Sequence, residues 1–178
     1  MKNEYEVSGE VVVIFLNRRD GTILETQIET TDLAKMLEYE GKWTPWWNKC
    51  TKSYYVQGHL RLGVNKKTKI YLHRYLTDAP KGQFVDHENN DTLDNRRSNL
   101  RFVTNAENQQ NRKSTPSDNK SGVLGVSWNR NKNKWQCHIK ANGKNMYLGL
   151  YDDLEVAKRV VEDARKRHMP YSKEALAN

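Results

Sequence analysis

Apolar residues fall into two kinds of spacing along the chain, and the switches between them predict its elements. "EVVVIFL" (10–16) is a β-branched and aromatic run that ends at the turn-forming "NRRDG". "TILETQIE" (22–29) alternates apolar and polar residues, so the two segments predict a β-hairpin. In "TTDLAKMLEYE" the spacing becomes helical at Leu33, Met36 and Leu37, with Thr31 or Asp32 as cap. "KWTPWWNKC" crowds Trp43, Trp46 and Trp47 around Pro45, and these indoles are expected to wedge a small core. "YYVQGHLRLGVNKKTKIYLHRYL" predicts a strand, a hairpin turning at Asn65-Lys66-Lys67, and a short helix near Tyr71–Thr77 that Pro80 stops.

The next stretch is different. "QFVDH" (83–87) and "NLRFV" (99–103) read as antiparallel strands, and the polar loop between them is too long for a tight hairpin. "TNAENQQNR" then opens a helix, with Thr104 and Glu107 spaced as a capping box. Residues 111–122, "NRKSTPSDNKSG", are polar and lack periodicity, which predicts a linker. From Gly122 the pattern restarts with strands in "GVLGVSWNR", "KWQCHIKAN" and "GKNMYLGLY", the last following a turn at Asn142-Gly143. "DDLEVAKRVVEDARKRH" closes it as a helix, with Asp152 and Glu155 as capping box and Leu154, Ala157, Val161 and Ala164 along one face.

Composition narrows the class. With 36% hydrophobic residues in 178 and a mean hydropathy of −0.97, small modules are expected in place of one large core. The N-terminus does not resemble a signal peptide, and no apolar run approaches membrane-spanning length, so a cytoplasmic, non-secreted protein is expected. Cys50 and Cys137 stand far apart with no C-x-x-C pair, so neither a structural zinc nor a disulfide framework is expected. The net charge is +8, yet residues 1–40 hold four Lys/Arg against nine Asp/Glu, which leaves +13 on the remainder. A basic body with five Trp and nine Tyr points to nucleic acid as partner.

The loop region carries the chemistry. Asp86 is a hard oxygen ligand, and Asn108, one turn into its helix, offers an amide oxygen. Two such oxygens, completed by water and a phosphate oxygen, suit Mg²⁺ or Mn²⁺. His87 is the nearby group able to take a proton from water near neutral pH, and Asn99 is expected to orient its imidazole. Glu88, Asn89, Asn90, Asp91 and Asp94 are assigned to the loop.

Asp86-His87, Asn99 twelve residues after the histidine, and Asn108 nine later resemble the His-Asn-Asn form of HNH endonucleases, which have the ββα-metal fold. With "LHRYL" upstream, the stretch from about 70 to 112 is similar to the HNH module of phage homing endonucleases. The resemblance implies His87 as general base and Asn99 as its positioner. It implies Asp86 and Asn108 as ligands of one divalent cation, and products with 5′-phosphate and 3′-hydroxyl ends. Residues 121–168 resemble an AP2 DNA-binding domain through Gly122, Gly125-Val126, Trp128, Trp135, Ile139, Tyr147-Leu148-Gly149 and Ala157. That implies three antiparallel strands on one helix, with the sheet in a DNA groove. Ser127, Asn129 and Asn145 depart from the Arg often found in plant relatives, so the plant target is not carried over.

The expected architecture is α+β: a β-rich region 1–58 with a short helix, a ββα nuclease core 59–112, a linker 113–121, an AP2-like domain 122–170 and a tail 171–178. Double-stranded DNA is the expected partner, bound by a monomer in preference to a homodimer. Arg74, Arg101, Arg112, Lys113, Trp128, Arg130, Lys132, Lys134, Lys140 and Tyr147 are the expected DNA contacts, while Trp135 is expected in the core. The acidic first forty residues are not expected on the DNA backbone. The rival readings are a non-catalytic DNA-binding regulator, a low-specificity phage nuclease and, more weakly, an RNA-binding protein.

Overall fold

The computed structural model describes residues 1–63, 66–111 and 119–176. Its contacts divide the chain between Val103 and Thr104 into two units, Met1–Val103 and Thr104–Asn178. Arg112, Lys113, most of the expected linker and part of the turn at Asn65 lie outside the described residues.

The first unit is built from three small sheets and two short helices. Strands β1 (Tyr5–Ser8), β2 (Val11–Asn17) and β3 (Ile23–Glu29) form an antiparallel sheet in that order. The expected hairpin is β2–β3. The additional β1 is four exposed residues with no apolar periodicity to announce it, joined to β2 through Gly9 at φ +59°. In β2 burial alternates, and Val12, Ile14 and Leu16 point inward to full burial. Helix α1 (Leu33–Glu38) follows, but the Asp32 carboxylate does not cap it. Asp32 instead accepts two hydrogen bonds from Arg97 Nε and one from Nη2, at 2.7–2.9 Å.

A second antiparallel sheet, β4 (Thr44–Asn48), β5 (Ser53–Arg61) and β6 (Lys67–Tyr71), leads into α2 (Leu72–Leu76). Its inner face joins Val12, Ile14, Leu16, Ile28, Met36, Trp43, Val56, Leu72 and Leu76 in one core. Trp43 alone of the three clustered indoles is fully buried there, whereas Trp47 is 44% exposed and Trp46 half-buried on the sheet's other face. One residue decides how closely Trp43 packs. A Cβ at Gly58 would lie 2.6 Å from the Tyr39 hydroxyl and 3.0 Å from the Trp43 ring. The last sheet is the pair β7 (Phe84–His87) and β8 (Leu100–Val103).

The second unit has its own core. Helix α3 (Asn105–Gln110) starts with the expected capping box, Thr104 Oγ1 accepting from Glu107 N and the Glu107 carboxylate accepting from Thr104 N. Strands β9 (Val126–Asn129), β10 (Lys134–Ala141) and β11 (Lys144–Tyr151) form a sheet with β10 central. The β10–β11 turn has Asn142 and Gly143 both at positive φ, as a two-residue hairpin turn requires. Helix α4 (Leu154–His168) lays Ala157, Val161 and Ala164 on Val126, Cys137, Ile139 and Ala141, with Trp135 packed beside them as expected. The cap of α4 is Asp153, accepting from Val156 N at 2.8 Å; Asp152, one residue earlier, pairs with Lys134. The short α5 (Lys173–Leu176) stands where a tail was expected. Buried Arg165 ties α3 into this unit, donating to the Gln110 carbonyl and to the Glu174 carboxylate. Among the described residues no helix is long and apolar enough to cross a membrane.

Candidate active site

The register of β7 and β8 places Asp86 opposite Arg101 and His87 opposite Leu100. Asp86 Oδ2 accepts from Arg101 Nε and Nη2 at 3.2 and 2.9 Å, so a positive group already lies against this oxygen. Arg101, an expected DNA contact, is thus engaged with Asp86.

Between the strands, residues 88–99 are held by their own Asn and Asp side chains. Asn99 is the centre of this stitching: its Oδ1 accepts from Asn89 N at 2.9 Å and its Nδ2 donates to the Asp94 carbonyl at 2.8 Å. Asn89 Nδ2 donates to Asp94 Oδ2, Asp91 Oδ1 accepts from Leu93 N, and Arg96 closes on Asp94 with two further bonds. Short polar side chains satisfy the loop's backbone where ladder partners are missing, which explains their density here. Asn90, at φ +62°, adopts the left-handed conformation that Asn tolerates best among non-glycine residues.

This reassigns Asn99. It does not reach the imidazole; its amide is committed to the loop backbone. His87 Nε2 instead lies 3.2 Å from Asn95 Oδ1, in a buried contact. Asn95 and its neighbours decide which tautomer sits there. Thr26 Oγ1 donates to the Leu93 carbonyl at 2.6 Å, so that hydroxyl accepts from Asn95 Nδ2 at 2.9 Å. The amide oxygen of Asn95 therefore faces the ring, Nε2 carries the proton, and Nδ1 carries the basic lone pair. The loop is also clamped along β3, through Gln27 N to Leu93 O at 3.0 Å and Asn95 N to Gln27 O at 2.8 Å. Thr26 lies 69 residues from Asn95, beyond the reach of local sequence reading.

Aromatic rings surround the histidine. His73 meets His87 edge-on at 5.1 Å between centroids, and Tyr55 lies 6.1 Å away. Burial pushes the His87 pKa down, against smaller opposing pulls from the Asn95 bond and from Asp86, Asp91 and Asp94. His73 is lowered to about 3, chiefly by burial and then by the charges of His87 and Arg74, and its buried Nδ1 has no hydrogen-bond partner. Neutral imidazoles are the consequence at working pH.

The remaining expected residues divide. Asp86, His87 and Asn99 come together in the first unit, whereas Asn108 lies half-buried in α3 of the second. Arg74, expected at DNA, directs its guanidinium to the carbonyls of Gln83, Ala79 and Pro80, where it fastens the turn before β7. Lys134 makes a 2.9 Å exposed ion pair with Asp152. Trp128, Arg130, Lys132, Lys140 and Tyr147 are exposed, with Tyr147 at 63% and Trp128 edge-on to Trp135.

Comparison with known proteins covers the same segment. Residues 77–110 match the family model of HNH endonuclease, a segment running from the end of α2 through β7, the stitched loop and β8 to α3. Protein 3.8 of Escherichia phage T7 is 33% identical over 94 residues, which is 53% of this chain and 77% of that relative. No solved structure matches the chain. The matched segment is the one that carries Asp86 and His87: the chain contains an HNH endonuclease domain, which implies DNA as substrate, and it belongs to one family with protein 3.8 of phage T7.

Proposed function

We propose that the chain is a metal-dependent DNA endonuclease of the phage homing type, with His87 as general base. The observation that carries this reading is the Thr26–Asn95–His87 chain of hydrogen bonds, which leaves the basic lone pair of the imidazole on Nδ1. His87 Nδ1 takes a proton from water as the water oxygen attacks phosphorus. The bond from phosphorus to the 3′ oxygen breaks, and that oxygen takes a proton from solvent, giving 5′-phosphate and 3′-hydroxyl ends.

Asp86 and Asn108 are the residues that would hold a divalent cation, Mg²⁺ or Mn²⁺. The donor chemistry fits. Asp86 supplies a hard oxygen that already faces a cationic group, and Asn108 an amide oxygen, the donor type that Mg²⁺ and Mn²⁺ take. When bound, such an ion stabilises charge on the leaving oxygen. Asn99 holds the loop that presents His87, and Asn95 holds the imidazole.

The second unit adds affinity and site selection. The outward positions of β9–β11 include Ser127, His138, Lys140, Asn145 and Tyr147, none of them acidic, which supports the AP2-like reading of a sheet face laid on DNA. One such site per chain acts on one strand at a time, so a monomer nicks. The test is a supercoiled plasmid, and one carrying the native host locus, incubated with purified protein with and without Mg²⁺ or Mn²⁺. Open circles that need metal and disappear with His87→Ala support the reading. A native-locus substrate that is bound and left intact overturns it in favour of a DNA-binding regulator.

A further inference from the structure

The strongest unassigned feature is the outward face of β4–β5–β6. Between Gly41 and Thr77 the chain carries eight Lys/Arg and no Asp or Glu, where its average frequency would place about four or five carboxylates. This stretch directly follows the acidic N-terminal segment, so the charge changes sign where the second sheet begins.

Register shows which side chains share the outward face. Trp46 pairs with Tyr55 across β4–β5, while Lys69 pairs with His59 and Lys67 with Arg61 across β5–β6. Alternation then sets Tyr71 beside them and turns Val56 and Gly58 to the core. The rings form an unbroken path from the outer strand to the histidine of the active site. Trp46 lies 6.0 Å from Tyr71, Tyr71 stacks on His73 at 5.7 Å, and His73 meets His87 at 5.1 Å. Lys69 Nζ sits 4.7 Å from the Trp46 ring centroid and 5.1 Å from that of Tyr71, which restrains the ammonium over the sheet. Arg61, Lys67 and Lys69 are all exposed.

We infer that this face is a docking surface for the duplex DNA flanking the scissile phosphate, with Arg61, Lys67 and Lys69 meeting phosphates and Trp46, Tyr55 and Tyr71 lying against the sugar edges. Charge complementarity and continuity with His87 name the occupant. A polyanion held at His87 has to leave the site in some direction, and this face offers cations with no opposing carboxylate. Three strands about 4.8 Å apart make a strip roughly 10 Å across, comparable with the width of a groove. Phosphate contacts position without reading sequence. The face therefore sets where the scissile bond lies and leaves target choice to other parts of the chain. The inference rests on the nuclease reading for its orientation, not for the binding itself.

The experiment uses the full chain, a labelled 30-base-pair duplex, the matching single strand, and EDTA to prevent cleavage. Lys67→Glu/Lys69→Glu is compared with Arg159→Glu/Lys166→Glu on exposed positions of α4, which changes net charge equally. The face variant is expected to weaken duplex binding about tenfold or more near physiological salt, and to flatten the salt dependence by about two charges. The α4 variant should change affinity by less than about threefold. Lys67→Gln/Lys69→Gln, with unchanged thermal unfolding, guards against a folding defect and should show an intermediate loss. Equal loss in both Glu pairs, no loss in the face variant, or loss confined to the single strand each overturns the inference. Metal-dependent plasmid cleavage is measured alongside. A face variant that loses binding while wild type never cuts would sink the nuclease reading and leave the surface standing; His87-dependent cutting with intact binding in the face variant would do the reverse.

Discussion

Two three-stranded antiparallel sheets in this molecule look alike and work under different constraints. The sheet β4–β5–β6 shares its inner core with the strands that clamp the active-site loop, and its outer rings run to His87. The sheet β9–β10–β11 closes its core with α4 alone, and its exposed Trp128, Lys140 and Tyr147 belong to a unit that contains neither Asp86 nor His87. The strands of both outer faces present cations and aromatic rings, so composition alone does not tell the two sheets apart. The separation lies in what stands behind each face. A change beneath the first sheet can disturb the histidine, whereas a change beneath the second has only Asn108, in α3, through which to reach the proposed chemistry.

The largest expected effect tests the shared core. Trp43→Ala empties the centre of the first unit and should destabilise it by about 3–5 kcal/mol, read by chemical denaturation, with cleavage lost as the unit unfolds. Val161→Ala, made in the second core, should cost about 1–3 kcal/mol and weaken DNA binding without lowering the rate on bound substrate. Loss of the single-turnover rate in that variant would collapse the comparison.

Next in size is the support behind His87. Asn95→Ala should lower the cleavage rate by about 10–100-fold with little change in DNA affinity, since groups that orient an active ring act on that scale. Thr26→Val should go the same way more weakly, and Thr26→Ser should restore the rate because it keeps the hydroxyl. A long-range ¹⁵N correlation spectrum would report the tautomer directly, with Nε2 protonated in wild type. An Nδ1-protonated ring would contradict the hydrogen-bond chain.

A smaller effect concerns acid. His73 stays neutral in the folded chain down to about 3, while the unfolded chain takes up a proton below the ordinary value of 6.5. The unfolded state therefore binds more protons in that interval, and stability should fall as pH drops from 6.5 toward 3. His73→Leu should flatten part of this decline, while the lowered His87 and the lowered Asp94 carboxylate act in the same direction. The smallest effect is the Lys134–Asp152 pair on the second unit. Lys134→Ala should cost less than about 1 kcal/mol because both side chains are exposed.

Local signals were legible in the sequence: the β2–β3 hairpin, the Thr104–Glu107 capping box, the apolar face of α4, and the Asp86-His87 pair at a strand end. Each rests on a period or a spacing of a few residues. What escaped depends on distance along the chain. Nothing in the local sequence sets Asn95 apart from the other Asn of the loop; Thr26, from another sheet, determines which way its amide points. Asn99 had the spacing of a positioner, yet its bonds go to the loop backbone, a choice no pattern of residue types records. Trp46 and Trp43 read alike in a cluster of indoles, and only the pleat of β4 and the space at Gly58 sort one outward and the other into the core.

The most direct test of the central claim is single-turnover cleavage of a native-locus duplex with saturating protein, by wild type and by His87→Ala, with and without Mg²⁺ or Mn²⁺. The account predicts metal-dependent cutting to 5′-phosphate and 3′-hydroxyl ends, and a rate lower by about 10²–10⁴-fold in His87→Ala with duplex affinity unchanged. Cutting by His87→Ala at the wild-type rate would remove His87 as the base and contradict the account.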